Sequence, residues 1–200
     1  MRILYISQYY PPEVNAPAGR VSGLSRLWTT LGHSVTVLTA FPNHPSGVVP
    51  TQYRGMWFHR EQDHGVSILR SFIYATPNAR VLRRVLSYLS FMISAIITGV
   101  LRSGRQDIVI ATSPQLFVAV AGYIASRFKR LPFVFEVRDV WPEEIVAVGA
   151  MKPGLAIRLL EKLEMFLYRR AALIVAVAQG TVDILTSRGI AAEKIVLLPN

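Results

Sequence analysis

The strongest indication of the fold is the sequence of residues 2–39, RILYISQYYPPEVNAPAGRVSGLSRLWTTLGHSVTVLT. Its apolar runs at 2–7 and 34–39 predict strands, and the apolar spacing over 18–31 predicts a helix between them. Gly32 directly follows that helix, at the position where a left-handed C-cap is expected. A strand, a helix and a second strand in this order form the repeating unit of a parallel α/β sheet.

The same alternation continues along the chain. Further strands are predicted at 66–72, 107–111, 133–137, 173–178 and 194–198, and further helices at 80–103, 116–128, 154–170 and 180–187. The strand runs are apolar without strict alternation, which is typical of strands buried on both faces of a parallel sheet. We therefore predict a single α/β domain over residues 1–200, a Rossmann-like, doubly wound and mainly parallel sheet with helices on both faces. Residues 41–64, rich in Pro, Gly and His, are predicted to form a long irregular loop.

Composition narrows the possible partners. The 200 residues carry a formal net charge of +10, mostly from arginine, and 52% of them are hydrophobic. Such an excess predicts an anionic partner, which could be a phosphorylated ligand, an anionic membrane or a nucleic acid. There is no cysteine, which excludes disulfides and thiolate metal sites. The first residues lack the apolar region of a signal peptide, so we expect a cytoplasmic protein.

The loop before the first helix contains Gly19 and Arg20. Neither G-x-G-x-x-G nor G-x-x-x-x-G-K-[ST] occurs there, which disfavours a nicotinamide enzyme and a P-loop enzyme. The free N–H groups of a helix N-terminus favour an anion, and an arginine there suggests that an anionic ligand compensates its charge. The alternative is a plain strand–helix connection with a solvated Arg20.

Two other segments follow predicted strands, where open α/β sheets bind ligands. In FEVRDVWPEE, residues 135–144, Arg138 and Asp139 end a strand, and Glu143 lies near the start of a short helix. Asp139 could orient or deprotonate a hydroxyl nucleophile, or it could serve as a helix cap or pair with Arg138. In AFPNHPSG, residues 40–47, Asn43 and His44 could bind a polyol, or the prolines could simply build a turn.

The predicted helix 80–103 has no charge from residue 85 to residue 101. Arginines flank it on both sides, namely Arg80, Arg83, Arg84, Arg102 and Arg105. Serines and a threonine fall on one helical face, at Ser87, Ser90, Ser94 and Thr98. Such a helix could span a bilayer, be fully buried, or lie on a membrane with its arginines at lipid phosphates. The pattern favours the last of these, because a span would interrupt the sheet.

Three segments together resemble a known family: YYPPEVNAPAGRVSGL at 9–24, EVRDVWPE at 136–143, and a final segment ending in LPN at 198–200. They resemble the N-terminal half of a family-4 retaining glycosyltransferase with the GT-B fold. The likeness is greatest to enzymes of bacterial surface-polysaccharide assembly, which make O-antigen, capsule or colanic acid and include the L-fucosamine transferase type. It covers essentially the whole chain.

The resemblance implies an acceptor-binding domain. A C-terminal domain, which this chain lacks, would bind most of a nucleotide-sugar donor, commonly a UDP sugar, so we expect this chain alone to be inactive. Transfer would proceed with retention and without a metal or other cofactor. Gly19 and Arg20 would lie near the donor diphosphate and Asp139 near the reacting centre. Acceptor contacts would come from Glu13, Asn43, His44, Arg138 and Glu143. Many relatives have His-Asp where this chain has Arg138-Asp139, which leaves the role of Arg138 open.

The resemblance also implies a location and an acceptor. Acceptors in this group are commonly lipid-linked saccharides, so the protein would sit peripherally on the inner face of the cell membrane, with the five arginines at lipid phosphates. Two rival functions remain. One is a non-catalytic, membrane-associated α/β binding module. The other is nucleic-acid binding, which is disfavoured because the arginines flank an apolar helix rather than form a polar basic stripe.

Overall fold

The computed structural model describes residues 1–77, 81–113, 115–140 and 154–199. They form an eight-stranded sheet with the order β3-β4-β2-β1-β5-β6-β7-β8. The strands are β1 (Arg2–Ile6), β2 (Ser34–Ala40), β3 (Phe58–Asp63), β4 (Val66–Ser71), β5 (Ile108–Thr112), β6 (Phe133–Val137), β7 (Leu173–Ala176) and β8 (Ile195–Leu197). All neighbouring strands are parallel except β3, which is antiparallel to β4. The predicted doubly wound, mainly parallel sheet is confirmed.

Five helices in this part of the chain connect the strands: α1 (Ala16–Thr30), α2 (Val81–Leu101), α3 (Leu116–Lys129), α4 (Leu155–Arg170) and α5 (Gln179–Ser187). Helix α1 packs on one face of the sheet, where Val21 joins Tyr5 and Val37 in a small core. Residues of the other four helices belong to a second, larger core on the opposite face. Helices on both faces were predicted, and the two separate cores confirm them.

Local chemistry accounts for the helix ends. Helix α1 begins at Ala16, two residues earlier than predicted, because the Asn15 side chain caps it by accepting a hydrogen bond from the Ala18 N–H at 2.9 Å. Pro17 fits within the first turn, where a backbone N–H has no helical partner. Gly32 has a φ of +83°, as predicted for the residue that ends this helix.

The predicted loop at 41–64 needs correction, because its second half contains the edge strand β3. The sequence of β3, FHREQD, is polar and mostly half-exposed, so it lacks the apolar run by which the other strands were found. A two-residue turn at His64 and Gly65, both with positive φ, joins β3 to β4. This is the geometry of a type I′ hairpin, which matches the right-handed twist of the strands.

Helix α2 is oriented opposite to an ordinary amphipathic helix. Its hydroxyl face points inward: Ser94 Oγ donates to the Phe72 carbonyl, and the Thr98 and Ser71 hydroxyls lie 3.0 Å apart. The outer face is apolar and exposed, with Leu82, Leu86, Ile93, Ile97 and Leu101 each 47–72% exposed. This helix is long and apolar enough to cross a membrane by length and composition, although a third of its apolar window is buried. The alternative of a fully buried helix is therefore wrong.

Candidate functional site

The sheet changes direction between β1 and β5. These strands are neighbours, yet α1 leads from β1 to β2 on one side and α3 leads from β5 to β6 on the other. A crevice is expected outside the carboxyl ends of such strands, and ligands bind there in open α/β sheets. One hydrogen bond joins the two loops, from Gln115 Nε2 after β5 to the Tyr9 hydroxyl after β1, at 3.1 Å.

Asp139 lies at this edge, in the turn that follows β6. Ser113, which follows β5, holds that turn with its buried hydroxyl, which accepts hydrogen bonds from the N–H groups of Arg138 at 2.7 Å and Asp139 at 3.3 Å. The Arg138 guanidinium reaches across to the Ala16 carbonyl at 3.3 Å. Arg138 and Asp139 are thus placed beside the N-terminal turn of α1, as a site at the sheet edge requires.

Arg20 has a partner within the protein. Its Nε donates to Glu136 Oε1 at 2.9 Å, and the two side chains are 7% and 3% exposed. Its terminal nitrogens donate to the carbonyls of Leu198 and Pro199, each at 2.9 Å. The sequence suggested that a ligand compensates the Arg20 charge or that solvent surrounds it. In the structure Glu136 compensates this charge, and Arg20 joins α1 to the end of β8.

Glu136 is held from a second side by Tyr5. The Tyr5 hydroxyl donates to Glu136 Oε2 at 2.6 Å, and both residues are buried. Burial raises the pKa of Tyr5 well above its ordinary value, and the neighbouring carboxylate adds to the rise. The phenol therefore stays protonated and keeps donating its hydrogen bond to Glu136.

Gly19 faces open space. A Cβ added at this position would meet no atom of the described chain within 4 Å, and the residue is exposed in the first turn of α1. The absence of a side chain keeps the backbone at this helix end accessible, which is what close approach of a phosphate group needs. Its proximity to a diphosphate stays a prediction.

Glu13 fixes the loop that carries Asn43 and His44. Its Oε1 accepts hydrogen bonds from the backbone N–H groups of Asn43 at 2.9 Å and His44 at 2.8 Å. The side chain is 6% exposed, and Oε2 has no partner within the described residues. Burial raises the pKa of Glu13, and the hydrogen bonds from Asn43 and His44 partly oppose that rise. Glu13 therefore positions the loop, and one oxygen stays available.

The raised pKa of Glu13 predicts a pH-dependent contribution to stability. The folded state binds the proton more tightly than the unfolded state, so the stability that Glu13 contributes falls as the pH rises from 4.5 through the folded pKa. Glu13→Gln cannot ionise and keeps an acceptor oxygen, so its stability relative to the wild type should increase over that range. Urea unfolding between about pH 4 and about pH 7 measures the difference.

Glu13→Ala provides the contrast. It leaves the N–H groups of Asn43 and His44 without their acceptor, so we expect a loss of about 1–3 kcal/mol throughout the pH range. A constant difference between Glu13→Gln and the wild type at every pH would show that Glu13 does not titrate with a raised pKa.

Aromatic and polar side chains line the same edge beside this loop. The rings of Tyr9 and His44 meet edge to face at 5.6 Å, and Arg84 of α2 donates to the Tyr88 hydroxyl at 3.3 Å. Burial, with the nearby Tyr88, raises the pKa of Tyr9 to about 12. Two buried amide oxygens, of Gln8 and Gln115, have no partner among the described residues. Aromatic faces beside unpaired acceptors suit a ligand that carries hydroxyl groups.

The structure leaves some predicted residues undescribed and adds others. Glu143 and Arg80 lie outside the described residues, whereas Arg83, Arg84, Arg102 and Arg105 are exposed beside or on α2. Sequence reasoning missed a set of buried polar residues at this edge, namely Glu136, Ser113, Gln115 and Arg70. Two of them had a visible signal, because Glu136 in FVFEV and Arg70 in VSILRS are single charges within apolar strands. A charge buried in this way requires a partner.

Comparisons with known proteins assign the chain to a family. The model of the glycosyl transferase 4-like domain matches residues 15–200, so the chain belongs to this family. The chain is 23% identical over 205 residues to WcaI of Escherichia coli K12, which is assigned as a glycosyl transferase of colanic acid biosynthesis. That match covers all of this chain and 50% of WcaI, so the chain spans about half the length of this relative.

Solved structures show the same fold at low sequence identity. HepE from Anabaena, determined with UDP-glucose, has a TM-score of 0.57 and 16% identity, over all of this chain and 44% of that protein. Sucrose-phosphate synthase from Thermosynechococcus elongatus has a TM-score of 0.64 and 13% identity, over 99% of this chain and 47% of that protein. The sequence-based expectation of a Rossmann-like GT-B half is confirmed.

Proposed function

We propose that this chain is the acceptor-binding domain of a retaining glycosyltransferase of bacterial surface-polysaccharide biosynthesis. The enzyme would move a sugar from a nucleotide sugar, most simply a UDP sugar, to a lipid-linked saccharide at the inner face of the cell membrane. The observation that carries the proposal is the placement of Asp139 beside the open N-terminal turn of α1, at the switch point of a family-4-like domain. The UDP-glucose bound by HepE and the assignment of WcaI to colanic acid support the donor class and the pathway class.

The described residues supply specific parts of this chemistry. The acceptor oxygen forms a bond to the anomeric carbon of the donor while the bond from that carbon to the diphosphate oxygen breaks. Asp139 orients the attacking hydroxyl or accepts its proton. The N-terminal turn of α1 at Gly19 faces the diphosphate, whose developing charge its free N–H groups stabilise. Tyr9, His44 and the free oxygen of Glu13 contact acceptor hydroxyl groups.

The test is transfer by the full-length protein. The protein is incubated with radiolabelled UDP-glucose, UDP-galactose or UDP-N-acetylglucosamine and with lipid extracted from cells that make surface polysaccharide. We expect label in the lipid phase from at least one donor, with EDTA leaving the rate unchanged because no metal is required. A complete lack of labelled lipid and of released UDP with all three donors would favour the alternative, a non-catalytic membrane-associated binding module.

Binding to anionic membranes should depend on the arginines at the start of α2. The exposed apolar face of α2, flanked by Arg83 and Arg84, is the observation that favours a membrane surface. Each arginine near an anionic bilayer contributes about 1 kcal/mol, so the double change Arg83→Glu and Arg84→Glu should weaken binding by at least about 30-fold. Sedimentation with phosphatidylglycerol vesicles measures it.

The matched control reverses two exposed charges elsewhere. Arg158 and Lys162 lie four residues apart on α4, so changing both to Glu alters the net charge equally. If the α4 variant loses as much vesicle binding as the α2 variant, the attraction is to the net charge of the chain, and the α2 surface has no special role.

A further inference from the structure

Two apolar cavities lie between α2 and the β3–β4 hairpin, one on each side of Phe72. The first, of about 410 Å³, is lined mainly by Phe41, Val48, Tyr53, Met56, Ile73 and Tyr74. The second, of about 380 Å³, is lined mainly by Trp57, Phe58, Ile93, Ile97 and Arg102. Phe72 lines both cavities and its ring stacks on Trp57 at 4.5 Å. We call the two cavities together the Phe72 groove.

The walls of the Phe72 groove expose large apolar side chains. Trp57 is 72% exposed, and Ile93 and Ile97 are 55% and 53% exposed. Both isoleucines belong to the outer apolar face of α2, so the groove continues into the surface proposed above to meet the membrane. Contiguous exposed apolar surface of this kind marks a binding site more often than a chance arrangement.

The hydroxyl groups beside the groove are already used. Ser94 donates to the Phe72 carbonyl, and Ser90 donates to the Ser87 carbonyl while accepting from the Tyr74 N–H. An extended peptide in the groove would find few partners for its own N–H and C=O groups. A single helical turn of about 10 Å diameter and 5.4 Å length would by itself fill about 400 Å³, the whole of either cavity. A thin hydrocarbon chain, which has no polar groups, fits the groove better.

The charges around the groove are positive. Arg54 lines the first cavity and Arg102 the second. The sequence contains no acidic residue between Asp63 and Asp107, and the carboxylate of Glu61 on β3 is paired with Arg70 at 2.6 Å. An occupant with an anionic head group is therefore favoured over a neutral one.

The first cavity adjoins the candidate site. Gly47 lines it and donates its N–H to the carbonyl of Asn43, in the loop that Glu13 holds. A Cβ at Gly47 would lie 2.4 Å from the Thr76 carbonyl oxygen, so only glycine allows this loop to rest against the segment after β4. A chain in the groove would thus have its head group beside the loop of Asn43 and His44.

We propose that the Phe72 groove binds the hydrocarbon chain of an isoprenoid diphosphate, with the diphosphate near Arg54 and the chain running past Phe72 towards Arg102. This inference deepens the proposed function and rests on it for the identity of the acceptor. The groove would take the lipid part of the acceptor out of the bilayer and direct its sugar to the loop of Asn43 and His44.

The test uses Trp57 as a reporter in this chain. Trp28→Phe and Trp141→Phe leave Trp57 as the single tryptophan of the three. Geranylgeranyl diphosphate is titrated below its aggregation concentration while the emission of Trp57 is followed. We expect a saturable blue shift, and none with inorganic diphosphate at the same concentrations. A lack of saturable change with geranylgeranyl diphosphate would overturn the proposal.

Paired variants localise the binding. Ile93→Glu with Ile97→Glu places charges in the groove and should weaken geranylgeranyl diphosphate binding at least tenfold. Leu82→Glu with Leu86→Glu places the same charges on the same exposed face, outside the groove, and should change it less than twofold. Ile97→Phe narrows the groove without adding charge and should weaken binding about fivefold, which keeps a test available if the charged pair does not fold. Equal losses in the two charged pairs would overturn the proposal.

Other outcomes separate this inference from the proposed function. If geranylgeranyl diphosphate does not bind while the full-length protein transfers sugar to extracted lipid, the groove proposal fails and the proposed function stands. If it binds as described but no donor supports transfer, the groove stands and the proposed function fails. Self-association that the Ile93 and Ile97 changes abolish, without any binding of the probe, would identify the groove as a contact between copies of the chain and overturn the proposal.

Discussion

Asp139→Asn in the full-length protein is expected to lower the rate of sugar transfer by about 10²- to 10⁴-fold, the usual contribution of a positioned acid or base. Asparagine keeps the shape of the side chain and loses its charge and its ability to take a proton. The two hydrogen bonds from the turn to Ser113 involve backbone N–H groups and should survive the change. The measurement is kcat with a UDP-sugar donor and extracted lipid acceptor, with circular dichroism to confirm folding.

Asp107→Asn is the matched control for this prediction. Asp107 precedes β5, at the edge of the sheet opposite to Asp139, where it pairs with Arg2 at the surface. The same chemical change there should leave kcat within about twofold, because exposed ion pairs contribute little. Unchanged transfer by Asp139→Asn would support the non-catalytic binding module over the transferase, or place the reacting centre on residues elsewhere.

The fold was largely predictable because each buried strand has its own local signal. Apolar runs without alternation located every strand except β3, and glycines with positive φ follow α1 and α5 where helix ends were expected, at Gly32 and Gly189. Strand β3 escaped because it forms an edge, and an edge strand needs no apolar run. Its existence depends on pairing with β4, which a local pattern does not show.

The candidate site was predictable only in outline. The carboxyl-edge rule correctly located Arg138 and Asp139 in the structure, because position in a parallel sheet follows from chain order. The roles of Glu13 and Arg20 depend on distant partners: Glu13 binds the backbone 30 and 31 residues away, and Arg20 binds Glu136 at a separation of 116 residues. Such pairings follow from the register of the strands, which the sequence does not state.

The orientation of α2 shows the same limit. The sequence identified both a hydroxyl face and an apolar face, and experience with soluble proteins would bury the apolar one. The structure buries the hydroxyl face instead, because Ser94 and Ser90 bind backbone groups in the segment after β4. These backbone groups lie in an irregular segment and need partners that strands would otherwise provide. The apolar face is thereby left outside, where the membrane and groove proposals make use of it.

The second large effect concerns the buried pair of Arg20 and Glu136. Arg20→Met should lower the free energy of unfolding by about 3–5 kcal/mol, because it leaves the Glu136 carboxylate buried with only Tyr5 as a described partner. Glu136→Gln should cost a similar amount by leaving the guanidinium without its counter-charge. Urea unfolding of this chain, with the m-value checked for two-state behaviour, measures both.

A double change and an exposed pair test the cause. Arg20→Met combined with Glu136→Met removes both charges, so its cost should be well below the sum of the single costs, since neither charge remains unpaired. Arg26→Met is the control, because Arg26 pairs with Asp63 in a partly exposed geometry, and its loss should cost about 1 kcal/mol or less. Strict additivity of Arg20 and Glu136 would mean that the pair is not coupled. In that case Arg20 would stabilise the chain mainly through the carbonyls of Leu198 and Pro199, and its replacement would loosen the end of β8 and leave Glu136 unaffected.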